Sequence, residues 1–354
     1  MRVGIIGIGQ AGGRITDSLL ESVEKNVKVS EKVVPFSFAI NTAKSDLMGL
    51  KRVPKKNRIL IGQTTARGHG VGLKRNVSKR IIKQELSSVK REIGTEETYH
   101  LDSFLIAIGL GGGTGSGSAP ALAEELADTY ELPVHVIGVL PSKAEGKLME
   151  ANAARTINEL KKVTDGIILF DNEIWSTDGV SLKKSYQMMN YELARAFPFL
   201  LQAGETTGKK VGIKVVDASD IMATLDGFSV LGWSEVRAPR RFLSIFRKKT
   251  SIDRLDITTR CEMAIINASA RTTAQCDMKN VKNVLSLLVG PSEELPRSGI
   301  ERSKQWITKA MPNARLRAGD LPIRWTGKLA RSGVMGILML SGIRNFPRIK
   351  KLGN

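Results

Sequence analysis

Two glycine-rich segments carry most of the chemistry open to this sequence. Gly7-Ile8-Gly9-Gln10-Ala11-Gly12 satisfies G-x-G-x-x-G, and the run from Leu110 to Ser118 packs Gly111, Gly112, Gly113, Gly115 and Gly117 together with Thr114, Ser116 and Ser118. Each follows a short apolar run, Val3 to Ile8 or Phe104 to Ile108, and precedes a helical pattern, so each reads as a strand-to-helix turn. Backbone N–H groups and the helix dipole at such a turn hold phosphate; glycines let the chain wrap an oligophosphate, and Thr and Ser add donors. A merely tight turn needs one or two glycines, so phosphate binding is the economical reading of the second run. No G-x-x-x-x-G-K-[ST] occurs, so the phosphates are held without a P-loop lysine. The first motif alone also fits a dinucleotide enzyme. The second strand, however, ends Phe38-Ala39-Ile40-Asn41-Thr42, without the acidic residue that would hold a ribose, and a nucleotide other than NAD gains weight.

Farther along, Tyr186 and Asn190 lie four apart in a helical pattern and share a face, where a ring can stack on a base and an amide can read its edge. Asn172 offers a second amide. Tyr186 also belongs to an apolar stripe, which makes core packing its plain alternative. Asp217 and Asp220, three apart at a helix start, can orient a water for attack on a phosphate, or can serve as an N-cap and a first-turn acid.

Composition narrows the classes further. The chain has 354 residues, with 54 Lys and Arg against 35 Asp and Glu, a formal charge of +19 that seeks anionic partners. Cys261 and Cys276 have no C-x-x-C partner and indicate a reducing compartment, while His69, His100 and His135 form no H-x-x-x-H pair. No protein-only metal site is expected. No apolar run reaches 18 residues, and basic stretches do not alternate with aromatics, so neither a membrane span nor single-strand nucleic-acid binding is expected.

These residues need a scaffold. Apolar runs at Val3 to Ile8, Phe36 to Ile40, Arg58 to Ile61, Phe104 to Ile108, Val134 to Val139 and Ile167 to Phe170 alternate with helical patterns, which predicts a Rossmann-like parallel sheet over residues 1–181. Leu182, Tyr186, Met189, Leu193, Phe197 and Leu200 predict one long central helix over 182–204, kinked by Pro198. Residues 205–344 read as a second, mixed α/β domain, with β-rich stretches at Lys210 to Val216, Cys261 to Asn267, Val281 to Leu288 and Val334 to Leu340. Arg237 to Lys249 reads as a basic surface loop, and 345–354 as a loose basic tail.

With these motifs assembled, the sequence resembles the tubulin/FtsZ superfamily. Gly-Gly-Gly-Thr-Gly-Ser-Gly at 111–117 is close to that family's signature, joined by Gly9-Gln10-Ala11-Gly12-Gly13, Asn41-Thr42 and Arg67-Gly68-His69-Gly70-Val71-Gly72. Glu145-Gly146 follows Pro141 as in the ribose loop, Asp171-Asn172-Glu173 is similar to tubulin's guanine loop, and Tyr186 with Asn190 to its central-helix grip on guanine. The mixture of tubulin-like and FtsZ-like segments resembles CetZ, the archaeal tubulin-like family associated with cell shape. The resemblance implies a cytoplasmic GTPase, present also at the inner membrane surface, that binds GTP or GDP and assembles head-to-tail into protofilaments. It implies nucleotide contacts from Gly9, Gln10, Ala11, Gly12, Gly13, Arg14, Asn41, Gly70, Gly112, Gly113, Thr114, Gly115, Ser116, Glu145, Asn172, Tyr186 and Asn190. Mg2+ would be held through the phosphates and Gln10, and hydrolysis completed in trans by Asp217 and Asp220 of the neighbouring subunit. A membrane-anchoring or accessory protein would use the basic surface or tail. Three departures from FtsZ stand out: Val215 replaces an Asn two residues before Asp217, Arg14 replaces an Asn, and Met149 replaces an arginine that Arg14 would offset. Val215 motivates an alternative, a nucleotide-dependent polymer scaffold with little hydrolysis. The first glycine motif alone supports another, an NAD-dependent oxidoreductase.

Overall fold

The computed structural model describes residues 1–27, 33–175, 179–204, 216–237, 256–323 and 332–352. Six parallel strands form the first half: β1 (Val3–Ile8), β2 (Ser37–Asn41), β3 (Arg58–Leu60), β4 (Ser103–Gly109), β5 (Val134–Leu140) and β6 (Gly166–Asp171), in spatial order β3-β2-β1-β4-β5-β6. β1 is buried along its whole length, the signature of a parallel strand covered on both faces. The chain leaves β1 toward β2 on one side and β4 lies on the other, which makes the carboxyl ends of β1 and β4 a topological switch point.

Helices α1 (Gly9–Asn26) and α4 (Thr114–Tyr130) start at that point, with α2 (Lys44–Met48), α3 (Arg75–Ile93), α5 (Lys147–Leu160) and the short α6 (Asn172–Trp175) around them. α1 buries Ile15 and Leu19 and lies close on β4, because a Cβ on Gly12 would meet the Ala107 carbonyl at 2.1 Å. α4 carries Pro120, which cannot bond the Ser116 carbonyl four residues back. That carbonyl instead accepts from Arg75 Nη2 at 3.2 Å and Thr156 Oγ1 at 3.4 Å. Arg75 is itself buried and pairs with Glu159 at 2.9 Å.

The central helix is broken as Pro198 requires, into α7 (Leu182–Arg195) and α8 (Phe197–Ala203). Met189, Leu193 and most of α8 are buried against the sheet. After α9 (Ala218–Thr224), β7 (Gly227–Arg237) pairs parallel with β6 over Gly227 to Ser229 and then antiparallel with β10 (Ser332–Ser341). β8 (Asn283–Gly290) and β9 (Arg315–Pro322) complete one ten-stranded sheet, with α10 (Ile257–Ala270) and α11 (Arg297–Ala310) packed in the second half.

Two expectations are corrected. Cys261 to Asn267 is helix, not strand: Asp256 caps it by accepting from Thr259 N at 2.6 Å, and Cys261, Ala264, Ile265 and Ala268 bury one helical face. The tail is docked rather than loose over its described residues 345–352, with Phe346 and Leu352 buried and α12 (Pro347–Lys350) between them. Phe346 meets Phe228 edge-on at 5.7 Å. Residues 210–215, including Val215, and the basic residues Arg240, Arg241, Arg247, Lys248 and Lys249 lie outside the described residues.

Candidate functional site

A cavity of about 420 Å³ opens above the switch point, within the roughly 300–1,000 Å³ typical of ligand pockets. One end is built from backbone. α1 and α4 both present uncapped N-termini there, with no side-chain cap and no acid in the first turn, so their N–H groups and dipoles face the cavity uncompensated. Gly9 takes φ +75°, a conformation that favours glycine. Gly112 is open on the cavity side, with nothing nearer than 3.8 Å to an added Cβ. Its neighbours serve packing as well: a Cβ on Gly113 would sit 1.7 Å from the Gly72 carbonyl, and one on Gly117 2.2 Å from that of Arg75.

Around this end, Asn41 accepts from Thr42 N and Ala43 N through Oδ1 and donates to Asp46 Oδ2 at 3.2 Å, while Gln10 Nε2 donates to Asp46 Oδ1 at 2.9 Å. The Thr42 and Thr114 hydroxyls meet at 2.8 Å. Gly70 and Gly72, both at positive φ, bring the 67–72 loop over the cavity, and Asn152 ties that loop to the glycine run by donating to the carbonyls of Leu73 and Gly111.

The other end is made of side chains. Glu145 accepts from Ser142 N at 2.7 Å and from the Tyr186 hydroxyl at 3.2 Å. Burial first, and then the Glu145 carboxylate, push the Tyr186 phenol above its ordinary value. Asn172, Asn190, Arg14, Met149 and Pro141 line the same end. Arg14 and Met149 thus share one cavity, the placement that the offset between them requires.

Of the sequence-derived candidates, Gly9, Gln10, Ala11, Arg14, Asn41, Gly70, Gly112, Gly113, Thr114, Gly115, Glu145, Asn172, Tyr186 and Asn190 line this one cavity. Gly12, Gly13 and Ser116 do not: Gly12 packs on Ala107, Gly13 faces Leu50, and the Ser116 hydroxyl donates to the Gly112 carbonyl. They shape the turns. Sequence reading missed Asp46, Arg75, Asn152 and Arg317.

Asp217 and Asp220 lie elsewhere. α9 leads into β7, whose first residue Gly227 is level with Gly166, the first residue of β6, so the pair sits at the amino ends of the strands. The cavity is at the carboxyl ends, a strand length of about 20 Å away. Asp217 caps α9, accepting from Asp220 N at 2.8 Å and from the Ser219 hydroxyl at 2.6 Å, and these donors hold its carboxyl below the usual range. Asp220 pairs with Arg317 at 3.1 Å. The capping geometry is therefore present, and neither carboxylate reaches the cavity of its own molecule.

Comparison with known proteins bears on this arrangement. Residues 2–177 match the Tubulin/FtsZ family GTPase domain, and residues 179–354 match the tubulin-like CetZ C-terminal domain. Tubulin-like protein CetZ1 of Haloferax volcanii is 37% identical over 99% of this chain and 91% of its own length. Its solved GDP-bound monomer superposes with a TM-score of 0.85 at 34% identity, covering 100% of this chain and 98% of that one. CetZ2 of the same organism, solved as a GTPγS-bound protofilament, gives a TM-score of 0.82 at 29% identity over 100% and 96%. The dinucleotide oxidoreductase alternative falls with these matches, and the chain belongs to the CetZ family of tubulin/FtsZ-like GTPases.

Proposed function

We propose that this chain binds GTP and GDP in the cavity above β1 and β4, assembles head-to-tail, and hydrolyses GTP where Asp217 and Asp220 of one subunit meet the nucleotide of the next. The observation that carries this is the placement of cavity and aspartates at opposite ends of the same strands. A site split in this way is completed only by a second copy, through a heterologous contact that propagates into a filament. The GDP-bound CetZ1 and the GTPγS-bound CetZ2 protofilament support the ligand and the assembly.

In this reading the uncapped starts of α1 and α4 hold the phosphates, Glu145 the ribose, and Asn172, Asn190 and Tyr186 the base. Among the described residues no group of three or more His, Cys, Asp or Glu side chains is placed to hold a metal ion, so Mg2+ would take most ligands from phosphate and water. Asp46, held by Gln10 and Asn41, would offer that cation a hard carboxylate oxygen, and the cation would neutralise phosphate charge. Asp217 and Asp220 would orient the attacking water. A second reading, a scaffold with little hydrolysis, is favoured by one observation: both carboxylates are already engaged, one as a cap and one with Arg317. We infer a role in cell shape from the family resemblance, and the free cysteines suit a reducing compartment such as the cytoplasm.

Two measurements test the proposal. Denaturing purified protein should release a guanine nucleotide. Phosphate release per subunit should rise with protein concentration, and a flat dependence removes hydrolysis across the interface.

A further inference from the structure

Arg348, close to the end of the chain, is bound to three segments that frame the side-chain end of the cavity. Its Nη2 donates to the Pro141 carbonyl at 2.8 Å, its Nη1 to Glu150 Oε1 at 3.0 Å, and its Nε lies 3.8 Å from Asp171 Oδ1. The guanidinium side chain is 11% exposed, and the Glu150 and Asp171 side chains 16% and 4%. Each of the three partners is in or next to a cavity wall: Pro141 lines it and begins the loop that presents Glu145, Asp171 precedes Asn172, and Glu150 follows Met149. Arg348 itself does not line the cavity. Lys143 N donates to Glu173 Oε2 at 2.8 Å, so the two loops are already joined at their tips, and Arg348 joins them at their roots.

The physics of this junction is one-sided. Burial pushes the Asp171 carboxyl up from its ordinary value, and the Glu173 N–H and then the Arg348 cation oppose that push. Removing the cation takes their Arg348 hydrogen bonds from the Pro141 carbonyl and the Glu150 carboxylate and leaves buried Asp171 with the Glu173 N–H but no facing charge, and water restores those contacts when the loops move apart. A planar guanidinium donates to Pro141 and Glu150 while its charge faces Asp171, which the single ammonium of lysine cannot do. Phe346 against Phe228 and the buried Leu352 hold α12 in place on either side.

We propose that Arg348 is a positioning residue that sets how long the nucleotide stays bound, with α12 acting as a strap across the roots of the ribose and base loops. The proposal rests on the nucleotide reading above. Because the strap belongs to the second half of the chain and the loops to the first, the state of one half is felt as the nucleotide exchange rate of the other.

The test is the dissociation rate of a fluorescent N-methylanthraniloyl-GDP chased with excess GDP from the full-length protein. Arg348→Ala should release it roughly tenfold faster, and Arg348→Lys about threefold faster. Arg260→Ala, which breaks a buried pair with Glu294 in the second half, should lower the melting temperature and leave the dissociation rate at the wild-type value. If Arg348→Ala does not fold, Glu150→Gln removes one charged acceptor from the opposite side and should act in the same direction, about threefold. A wild-type rate in the folded Arg348 variants, or equal acceleration in Arg260→Ala, overturns the strap. Failure of the wild-type protein to hold any guanine nucleotide overturns the underlying reading instead.

Discussion

Gly112 and Gly113 separate ligand contact from packing within one turn. Alanine at Gly112 points into open cavity, so Gly112→Ala should weaken guanine nucleotide binding at least about tenfold while the melting temperature moves by no more than ~2 °C, read by titration and calorimetry. Alanine at Gly113 meets the Gly72 carbonyl, so Gly113→Ala should lose both binding and about 1–3 kcal/mol of stability. Asp217 allows a similar separation. Asn is as good an N-cap as Asp, so Asp217→Asn should keep stability and nucleotide affinity and lower steady-state GTP turnover roughly 100-fold. Asp217→Ala should in addition cost about 1 kcal/mol in urea denaturation. The glycine runs were legible because a departure from average composition at a strand end has few physical explanations. Asp46, Asn152 and Arg317 were not, because each is an ordinary polar residue until the fold brings its partner near. Asn152 bonds Leu73, 79 residues away, and Arg317 bonds Asp220, 97 residues away.

At the scale of elements, apolar runs and helical spacing reported the first half well because β1, β2, β4, β5 and β6 are buried along nearly their whole length. Pro198 likewise marks the break between α7 and α8. The second half was harder to read, since a run such as Cys261 to Asn267 is apolar enough for a strand, and only Asp256 and the one-sided burial mark it as helix. β4 and β5 carry a different kind of dependence. His135 on β5 is buried and its Nδ1 lies 2.7 Å from the Ser103 hydroxyl on β4, and burial lowers its pKa below the ordinary value. The unfolded chain therefore takes up a proton near pH 6.5 while the folded chain stays neutral. Stability should be full above about pH 6.5 and fall as the pH drops toward the folded value, with a slope of at most about 1.4 kcal/mol per pH unit from this group. Urea midpoints from pH 7.5 to 5 should fall less steeply in His135→Gln than in the wild type.

At the scale of the whole molecule, the split between cavity and aspartates makes subunits complementary. Asp217→Asn has an intact cavity and Gly112→Ala intact aspartates, and at GTP concentrations too low to fill the Gly112→Ala cavity each turns over slowly alone. Mixed in equal amounts, roughly a quarter of interfaces should pair the two intact halves and turnover should reappear, whereas a site completed within one molecule gives no recovery. The opposed ends of the sheet were not legible as distances in the sequence. Only the order of elements, with α9 feeding β7 beside β6, puts them there.

β7 continues the parallel array beside β6 and then turns partner to β10, so a single ribbon of backbone runs through both halves. Cutting the gene between them would strip β6 of its neighbour along Gly166 to Ile168 and bare a buried apolar strand as an edge, which pairs readily with any other exposed strand. The N-terminal half produced alone should therefore precipitate rather than act as a detachable nucleotide carrier.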